Sequence, residues 1–409
     1  MKTIAFSILF VVTHGLTAQA ADDVVQLELS AGKHARERCV VSCTLPEKFS
    51  DSKHLSLMRT ADGKSIPVQI DSTAEGKRIY WILNKKLPAK QTRRYNLQSS
   101  QQPFKQDAPV TNTVTLKIDG KQIRIAVSEK PVLVYHQAIV KSPLKDAPYY
   151  ARSGYIHPLY TPSGKEITDD FNPDHAHQHG VMFAWRKILF DGRHNNAWDQ
   201  KQNTGRIEHG EVKAVAVGPV FATFTALLKH VDLTAKQAPV TMLNETWRVR
   251  VYAFADDFLF DIISTQTCAT DKPVVIEKYH YGGMTIRGHA DWMDTKTFDF
   301  LTNENKTRAD GNHSRPNWVA MHGLLQGEPV GITIFDHPHN FRFPQPVRLH
   351  PKMPYFCFVP AQLGEFRIEP GKPFVSQYRY HIHHGKTNSV VANQIWDNYT
   401  QAAHVTVVK

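Results

Sequence analysis

Histidines cluster in three short segments of the chain. Of the 22 histidines, eight lie in these segments, namely His175, His177 and His179, then His337 and His339, then His381, His383 and His384. On a β-strand, alternate side chains point to the same side. The spacing of residues 174–179 therefore predicts a strand that directs three imidazoles toward one point.

Three alternatives are open for these imidazoles. Neutral imidazole is the commonest metal ligand, so His175 and His177 are candidate ligands for one divalent metal ion, with Asp174 orienting a ring. The same side chains are candidates for direct contact with an anionic or hydroxylated substrate, as donors and acid/base groups. The third alternative is a hydrogen-bonded loop before the apolar strand at 180–185, with no chemical role.

A second group of reactive side chains lies just before two consecutive glycines, which let a backbone or a ligand approach closely. The candidate catalytic residues of this group are Glu277, Lys278, His280 and Tyr281, and Arg287 follows them. An acid, a base and a cation in one segment suit proton transfer next to a carbonyl or carboxylate, because the cation offsets developing negative charge. The competing interpretation is a structural cluster of ion pairs.

Two later segments supply further candidates for substrate binding. Asp336, His337 and Asn340 end an apolar run, where they either line the mouth of a cavity or form an Asx turn. Arg379 and His381 share one face of the last long predicted strand. That face is either a concave surface that holds a sugar or a solvated surface.

The elements that must position these residues have the alternation of β-strands. The pattern is clearest at Trp247, Val249 and Val251, while Arg248 and Arg250 take the opposite face. Helical periodicity is hard to find. A long series of antiparallel strands with few helices predicts a sandwich or a barrel.

The sequence predicts an all-β protein with two domains. Residues 21–105 have the short alternating runs of a small β-sandwich, and residues 106–409 predict a large antiparallel β-sandwich that carries the candidate catalytic residues. The hydrophilic segment 99–112 is the predicted linker. Asp-Gly pairs at 62–63 and 119–120 predict hairpin turns.

The N-terminal residues predict export. Lys2, the apolar run 4–12 and the small residues Ala18 to Ala20 have the three parts of a signal peptide at 1–20, with cleavage after Ala20. We therefore expect a periplasmic or secreted protein. The apolar run is shorter than the roughly 20 residues that cross a bilayer, and no later uncharged segment reaches that length, so we expect no membrane span.

Composition narrows the range of partners. With 49 Lys and Arg against 38 Asp and Glu, a net charge of +11 and 41% hydrophobic residues, the chain is neither disordered nor collagen-like. The basic residues are spread out and form no nucleic-acid motif, which favours acidic glycans or a membrane surface over nucleic acid as partners. Four cysteines are too few for a disulfide framework, although a bridge between Cys268 and Cys357 is open.

Several familiar motifs do not occur in the sequence: HExxH, GxSxG, GxGxxG, the P-loop and the EF-hand loop. Their absence argues against a zincin, an ordinary serine hydrolase, a dinucleotide enzyme and an NTPase. Carbohydrate chemistry stays open, because it uses dispersed side chains that leave no short signature.

Five stretches together resemble the "methane oxygenase PmoA-like" family of secreted bacterial proteins. They are residues 152–164, residues 174–180, Trp198, residues 278–283 with Arg287, and residues 336–340. The resemblance spans residues 131–385. Ala176 and Gln178 replace a proline and a histidine of the family pattern, so Asp174, His175 and His177 are the residues that match in their segment.

The resemblance implies a β-supersandwich similar to galactose mutarotase-like domains, in which a concave sheet holds a sugar. Fold alone does not give function, so roles are transferred only by analogy. By that analogy His157 or His280 donates a proton, and Glu277 or Asp174 accepts one. The other matching residues would bind substrate, and they are Arg152, Trp198, Arg287, Asp336, His337 and Asn340.

Three functions are compatible with these observations. The leading hypothesis is a secreted carbohydrate-active enzyme that performs elimination, hydrolysis or epimerisation on an acidic or oxidised glycoside. The second is a glycan-binding protein without catalysis, and the third is a metal-dependent oxygenase that holds iron with His175, His177 and a carboxylate. Each hypothesis of catalysis requires that residues 174–177, 278–287, 336–340 and His381 meet in one hollow.

Overall fold

Strands dominate the protein. The computed structural model describes residues 24–52, 54–73, 76–100 and 112–408. The predicted signal peptide and most of the predicted linker lie outside the described residues. Strands account for 51% and helices for 9% of the structure, which confirms the all-β prediction.

The first seven strands are β1 (Val24–Ser30), β2 (Cys39–Thr44), β3 (His54–Arg59), β4 (Ser65–Ile66), β5 (Val68–Thr73), β6 (Gly76–Leu83) and β7 (Thr92–Ser100). They are followed by β8 (Val114–Ile118), β9 (Gln122–Val127), β10 (Lys130–His136), β11 (Tyr155–Leu159), β12 (Val181–Trp185), β13 (Ile188–Phe190), β14 (Arg193–Asn195), β15 (Gly205–Val217), β16 (Phe221–Asp232), β17 (Val240–Tyr252), β18 (Phe258–Cys268), β19 (Val274–Ile276), β20 (Gly282–Arg287), β21 (Phe298–Thr302), β22 (Trp318–Leu325), β23 (Glu328–Phe335), β24 (Val347–Leu349), β25 (Tyr355–Phe358), β26 (Phe366–Ile368), β27 (Phe374–His384) and β28 (His404–Val408). An α-helix, α1 (Ser389–Thr400), precedes β28, and short 3-10 helices lie at Glu47–Phe49, Pro148–Tyr150, Gln200–Gln202, Ala290–Met293 and Pro360–Leu363.

A small sandwich is built from the first seven strands and the last one. The sheet with strand order β28-β1-β7-β3-β4 packs against the sheet β2-β6-β5. Leu27, Leu57, Trp81 and Leu97 are fully buried between them, as expected where strands alternate apolar and polar side chains. The Asp-Gly pair with Gly63 at φ +65° turns the chain between β3 and β4, as predicted.

The large sandwich has two eight-stranded sheets. The front sheet has the strand order β24-β25-β20-β12-β11-β10-β9-β8, and the back sheet has the order β15-β16-β17-β18-β27-β23-β22-β21. Phe358 of the front sheet stacks on Tyr378 of the back sheet at 5.1 Å between ring centroids, which places both rings in the core between the sheets. The predicted large antiparallel sandwich is therefore confirmed.

The back sheet has the predicted alternation. Trp247, Val249 and Val251 are fully buried in the core, whereas Arg248 and Arg250 on the other face both hydrogen-bond to Asp71 of the small sandwich. The small sandwich and α1 thus cover much of the outer face of the back sheet, while the outer face of the front sheet carries loops instead.

The last strand returns to the beginning of the chain. β28 pairs with β1 in antiparallel register from Gln26 with Val408 to Ser30 with His404. The sequence analysis placed residues 404–408 in the large domain. Their hydrogen bonds to β1 instead make them part of a sheet of the small sandwich. None of the helices in the described ranges is long and apolar enough to span a membrane.

Candidate functional site

The outer face of the front sheet carries polar and aromatic side chains. Arg287 pairs with Tyr355 and Arg348 pairs with Cys357 across neighbouring strands, so these four residues share one face. The residues between them, such as Phe356, point into the core. Two chain segments, 170–180 and 191–203, contact this face through Gln178, which bonds to Arg287, and through Trp198, whose ring contacts Tyr355.

Close packing of two strands places Tyr281 on this face. Gly282 and Gly283 have φ values of +122° and +95°, and a Cβ on Gly283 would lie 2.2 Å from the carbonyl oxygen of Phe358. The two glycines therefore serve the approach of a protein backbone. They bring Tyr281 to within 6.3 Å of Tyr355, measured between ring centroids.

His175 and His177 meet His350, which comes from a distant part of the chain. The ring centroid of His175 lies 5.5 Å from that of His177 and 6.0 Å from that of His350. Arg348, two residues before His350, lies 5.1 Å over the ring of Tyr281. We call the surface formed by His175, His177, His350, Arg348 and Tyr281 the histidine cleft.

The strand predicted for residues 174–179 is wrong. The segment is a series of turns, in which His175 N donates to Asn172 O and Gln178 N donates to His175 O, each at 2.9 Å. Asn and Asp favour such turns because their side chains hydrogen-bond to the nearby backbone, and Pro favours them because its ring fixes φ. Asp174 is exposed, its backbone amide donates to Asn172 Oδ1, and its carboxylate forms no hydrogen bond to an imidazole of the described residues, so the predicted orienting contact is not formed there.

Burial keeps the imidazoles of the cleft neutral. Burial lowers the pKa of His177 to about 4 and that of His350 to about 4, and the charge of Arg348 adds to the effect at His350. Burial also lowers the pKa of His175, with a further contribution from Arg287. At neutral pH these rings can accept a proton.

The proton of His350 has a defined place. Its Nδ1 accepts hydrogen bonds from the backbone amides of Lys352 at 3.2 Å and Met353 at 3.0 Å. Since an amide can only donate, the neutral ring carries its proton on Nε2. His350 therefore offers one N–H donor to a partner.

Arg287 supports the loop that carries the two histidines. Its guanidinium is fully buried, donates to Gln178 Oε1 at 2.9 Å, and lies 3.9 Å from Asp169. Gln178 lies next to His177, so Arg287 acts on the cleft through this amide. The predicted role in substrate binding stays a prediction for this residue.

A row of rings extends from the cleft. His280 lies 4.4 Å from Tyr279 and 4.8 Å from Tyr281, and Tyr281 lies 5.8 Å from Trp198. Trp198 is buried, whereas His280 is exposed. The indole therefore holds the row in place and His280 faces solvent.

A polar cavity of about 340 Å³ adjoins this row. It is lined by Arg186, Lys187, His194, Asn195, Asn196, Gln202, Thr204 and Glu277. Glu277 Oε2 lies 3.2 Å from His194 Nδ1, so the predicted proton acceptor is paired with an imidazole that the sequence analysis did not single out. Lys278 is exposed beside it.

His179 belongs to a separate, buried group. Its Nδ1 lies 2.5 Å from Asp170 Oδ1, and Tyr155 donates to the other oxygen of Asp170 at 2.6 Å. Arg152 is fully buried close to this group, and burial lowers its pKa to about 10. His157 contacts Thr168 Oγ1 at 3.0 Å. Arg152 is thus buried, whereas His157 is half-buried.

The segment 336–340 does not join the cleft. The carboxylate of Asp336 accepts hydrogen bonds from Asn340 Nδ2 at 2.7 Å and from the backbone amides of Gln345 and His337 at 2.8 and 2.9 Å. Asn340 in turn bonds to the backbone of Gln377 in β27. The segment therefore fastens a loop to the back sheet, in line with the Asx-turn alternative.

Arg379 and His381 also lie elsewhere. They occupy the outer face of the back sheet, where Arg379 forms two bonds to Asp261 at 2.7 and 2.8 Å and His381 Nε2 lies 2.9 Å from Asp257. α1 covers Arg379 through Tyr399, whose ring lies 4.4 Å from the guanidinium. The expected meeting of all four segments in one hollow is therefore wrong for 336–340 and His381. Segment 174–177 contacts His350, which follows two residues after the Arg348 that lies over Tyr281.

His350 was missed by sequence reasoning although the sequence holds a signal for it. His157, His337 and His350 each precede a proline near the end of a strand. An isolated histidine has no spacing pattern of its own, and only this repeated His-Pro pair singles it out.

The described residues contain no group of three or more His, Cys, Asp or Glu side chains placed to hold a metal ion. His175 and His177 thus lack a third ligand in the described part of the chain, and the facial triad of the oxygenase hypothesis is not formed there. Cys268 and Cys357 are both free, so the open disulfide pairing is not made.

Fold and site together define an all-β protein of two sandwiches, with a histidine-rich cleft on the outer face of one large sheet. A model of a protein family of unknown function, DUF6807, matches residues 122–397, and the chain belongs to that family. The predicted membership of a PmoA-like family is wrong, because the matching family model is this one. Comparison with curated proteins gives no significant match.

Two solved structures from Enterococcus faecalis are similar to this chain at the level of the fold. One is an α-mannosidase, at 11% identity and a TM-score of 0.44, and the alignment covers 94% of this chain and 46% of the other. The second is a protein of glycosyl hydrolase family 38, at 11% identity and a TM-score of 0.41, with 94% and 47% covered. This chain thus spans about half the length of each.

Proposed function

We propose that this protein is a secreted or periplasmic carbohydrate-active enzyme, which performs acid/base chemistry on an acidic or oxidised glycoside in the histidine cleft. One observation carries the proposal: neutral His175 and His177 meet His350 beside the cation Arg348 and the phenol of Tyr281. Export is proposed from the signal-peptide pattern of residues 1–20.

The groups of the cleft suit removal of a proton next to a carboxylate or a keto group. The neutral ring of His175 or His177 takes the proton from carbon, and the electron pair that remains spreads onto the substrate oxygen. Arg348 and the Nε2–H of His350 stabilise the negative charge on that oxygen, because preorganised donors are strongest where charge develops.

A donor is also required for the other half of the reaction. Burial raises the pKa of Tyr281, so its phenol is protonated at neutral pH. In an elimination, the bond from carbon to the leaving oxygen breaks and that oxygen takes a proton from Tyr281. Return of a proton to the opposite face of the carbon gives epimerisation with the same groups.

The test is turnover by the full mature chain. The protein is incubated with oligosaccharides that carry uronic acid, sulfate or a 3-keto group, and unsaturated products, new reducing ends and exchange of carbon-bound hydrogen are measured. At least one of His175→Gln and His177→Gln should lower turnover by about 100-fold or more, as for loss of a general base. His404→Gln, an exposed histidine in β28, is the matched control.

The contrasting function is glycan binding without catalysis. It is favoured if these oligosaccharides bind and no product or exchange is formed. Turnover that is unchanged in both cleft variants would place the chemistry elsewhere and overturn the proposed site.

A further inference from the structure

We propose that the cavity lined by Arg186, Lys187, Asn195 and Glu277 is a binding subsite for the carboxylate or sulfate ester of an acidic sugar. It adjoins the histidine cleft and shares no side chain with it. The inference rests on the proposed function, because it names the class of substrate that the cleft would process.

Two neighbouring cations face the cavity without a carboxylate partner in the described residues. The guanidinium of Arg186 lies 5.7 Å and the ammonium of Lys187 lies 5.1 Å from the centre of the same ring, Tyr279. Both side chains contact an aromatic face, which attracts a cation but leaves its charge uncompensated. A pair of such cations is stabilised by an external anion.

The acidic residue that lines the cavity forms an ion pair with neither cation in the described residues, so the two positive charges outnumber the single negative one. The carboxylate of Glu277 is paired with His194, at 3.2 Å between Oε2 and Nδ1. The planar fork of Arg186 can form two parallel bonds to a carboxylate or a sulfate, and Lys187 adds a point charge. The cavity therefore favours an oxyanion over a neutral hydroxyl.

The remaining lining groups suit the body of a sugar. Asn195 is 3% exposed, and its Oδ1 is buried with no hydrogen-bond partner in the described residues. A buried acceptor without a donor is rare in folded proteins, and a hydroxyl group would supply the donor. The side chain of Asn196, by contrast, already has hydrogen-bond partners. Its Oδ1 accepts hydrogen bonds from the backbone amides of Trp198 and Asp199, and these bonds fix the wall of the cavity.

A row of ring contacts leads from the two cations of the cavity to Tyr281 of the cleft. The ring of Tyr279, which lies under the two cations, is 4.4 Å from that of His280. The ring of His280 is in turn 4.8 Å from that of Tyr281, measured between centroids. The cavity of about 340 Å³ lies in the size range of ligand pockets. An acidic sugar in the cavity would therefore place the next sugar unit of a chain over His280 and Tyr281.

Calorimetric titration of the full chain with three defined probes tests the subsite. The probes are trigalacturonic acid for the carboxylate, a sulfated carrageenan tetrasaccharide without carboxylates for the sulfate, and galactotriose as the neutral reference. We expect at least one acidic probe to bind at least about 10-fold more tightly than galactotriose, and the tighter of the two identifies the anion. Raising the salt concentration should weaken the acidic probes only.

Variants separate this subsite from the cleft. Arg186→Gln, Lys187→Gln and the double variant should lower the affinity for the acidic probe, by about 10-fold or more in the double variant, and leave galactotriose unchanged. Lys201→Gln, an exposed lysine that does not line the cavity, is the matched control. Circular dichroism of each variant verifies the fold, and the single variants give the answer if the double variant fails to fold.

The two proposals fail in different ways. Equal affinity for acidic and neutral probes, or acidic binding that survives the double substitution, overturns the subsite while turnover of glycans still supports the cleft. Absence of both glycan binding and turnover overturns the proposed function itself. Acidic selectivity that is lost in the variants, with no product formed, supports the subsite and favours the contrasting function of glycan binding.

Discussion

His230 Nε2 lies 2.7 Å from Glu245 Oε2, and both side chains are fully buried on the core side of the back sheet. The other oxygen of Glu245 accepts hydrogen bonds from Trp247, Ser264 and Gln266. A buried carboxylate of this kind is tolerated only because both of its oxygens have hydrogen-bond donors. The four partners lie on three strands, so the hydrogen bonds of this carboxylate link these strands at the centre of the back sheet.

We therefore expect Glu245→Ala to lower the free energy of unfolding by about 3–5 kcal/mol, because it leaves buried donors and an imidazole without their partner. Glu304→Ala, which removes an exposed carboxylate paired with Lys306, should change it by less than about 1 kcal/mol. Unfolding in denaturant, followed by tryptophan fluorescence, compares the two. Equal effects of both substitutions would contradict the assigned role of Glu245.

Asp336 predicts a pH dependence of stability. Burial raises the pKa of this carboxyl from 3.8 to about 6, against the effect of three hydrogen bonds that favour its charged form. Because the folded state binds this proton more tightly than the unfolded chain does, the contribution of Asp336 to stability is full below pH 3.8 and is lost as the pH rises to about 6. The size of the shift corresponds to about 3 kcal/mol.

The measurement is the free energy of unfolding of the wild type and of Asp336→Asn between these pH values. The advantage of the wild type should shrink as the pH rises, since the neutral amide does not titrate. Asp271→Asn, an exposed control, should keep a constant difference from the wild type. A constant difference for Asp336→Asn as well would show that its pKa is not raised.

The sequence predicts the strands better than it predicts their partners. The alternation of Trp247, Val249 and Val251 identified β17 and its buried face, because a period of two is a local property of the chain. The spacing of His175, His177 and His179 has the same period. Backbone hydrogen bonds within residues 172–178 nevertheless bend that segment into turns. Spacing alone does not separate the two cases, because local turn bonds compete with strand pairing.

Contacts between distant residues could not be predicted from the sequence. His350 is separated from His175 by most of the large sandwich, and the pairing of β28 with β1 joins the two ends of the described chain. Neither contact has a local pattern, since each depends on how the strands are ordered in the sheets. The candidate site was therefore predicted in part, from the segments at 174–177 and 278–287, and it was completed by residues with no sequence signal of comparable strength.

The close approach of β20 and β25 predicts a strong effect of a single methyl group. In Gly283→Ala, the new Cβ would lie 2.2 Å from the carbonyl oxygen of Phe358, in a backbone conformation at φ +95° that disfavours alanine. We expect the free energy of unfolding to fall by about 2–4 kcal/mol, with a loss of activity because Tyr281 moves. Gly371→Ala has a similar φ of +74° and open space around its Cβ, so it should lower stability by roughly 1 kcal/mol only. Equal effects in thermal unfolding would show that the strand contact is not tight.

The histidine cleft predicts the pH dependence of turnover. The base must be neutral to accept a proton, and burial lowers the pKa of His177 and of His350 to about 4. Activity should therefore persist as the pH falls below the ordinary histidine value of 6.5 and be lost only near pH 4. Arg348 lowers the pKa of His350, which acts as a donor and not as the base, so Arg348→Gln should reduce turnover and leave the pH at which activity is lost unchanged. Arg206→Gln, on an exposed part of β15, should leave the profile of kcat/KM unchanged. A wild-type profile that declines near 6.5 would show that the reacting imidazole is not in this cleft, because an exposed histidine titrates at its ordinary value.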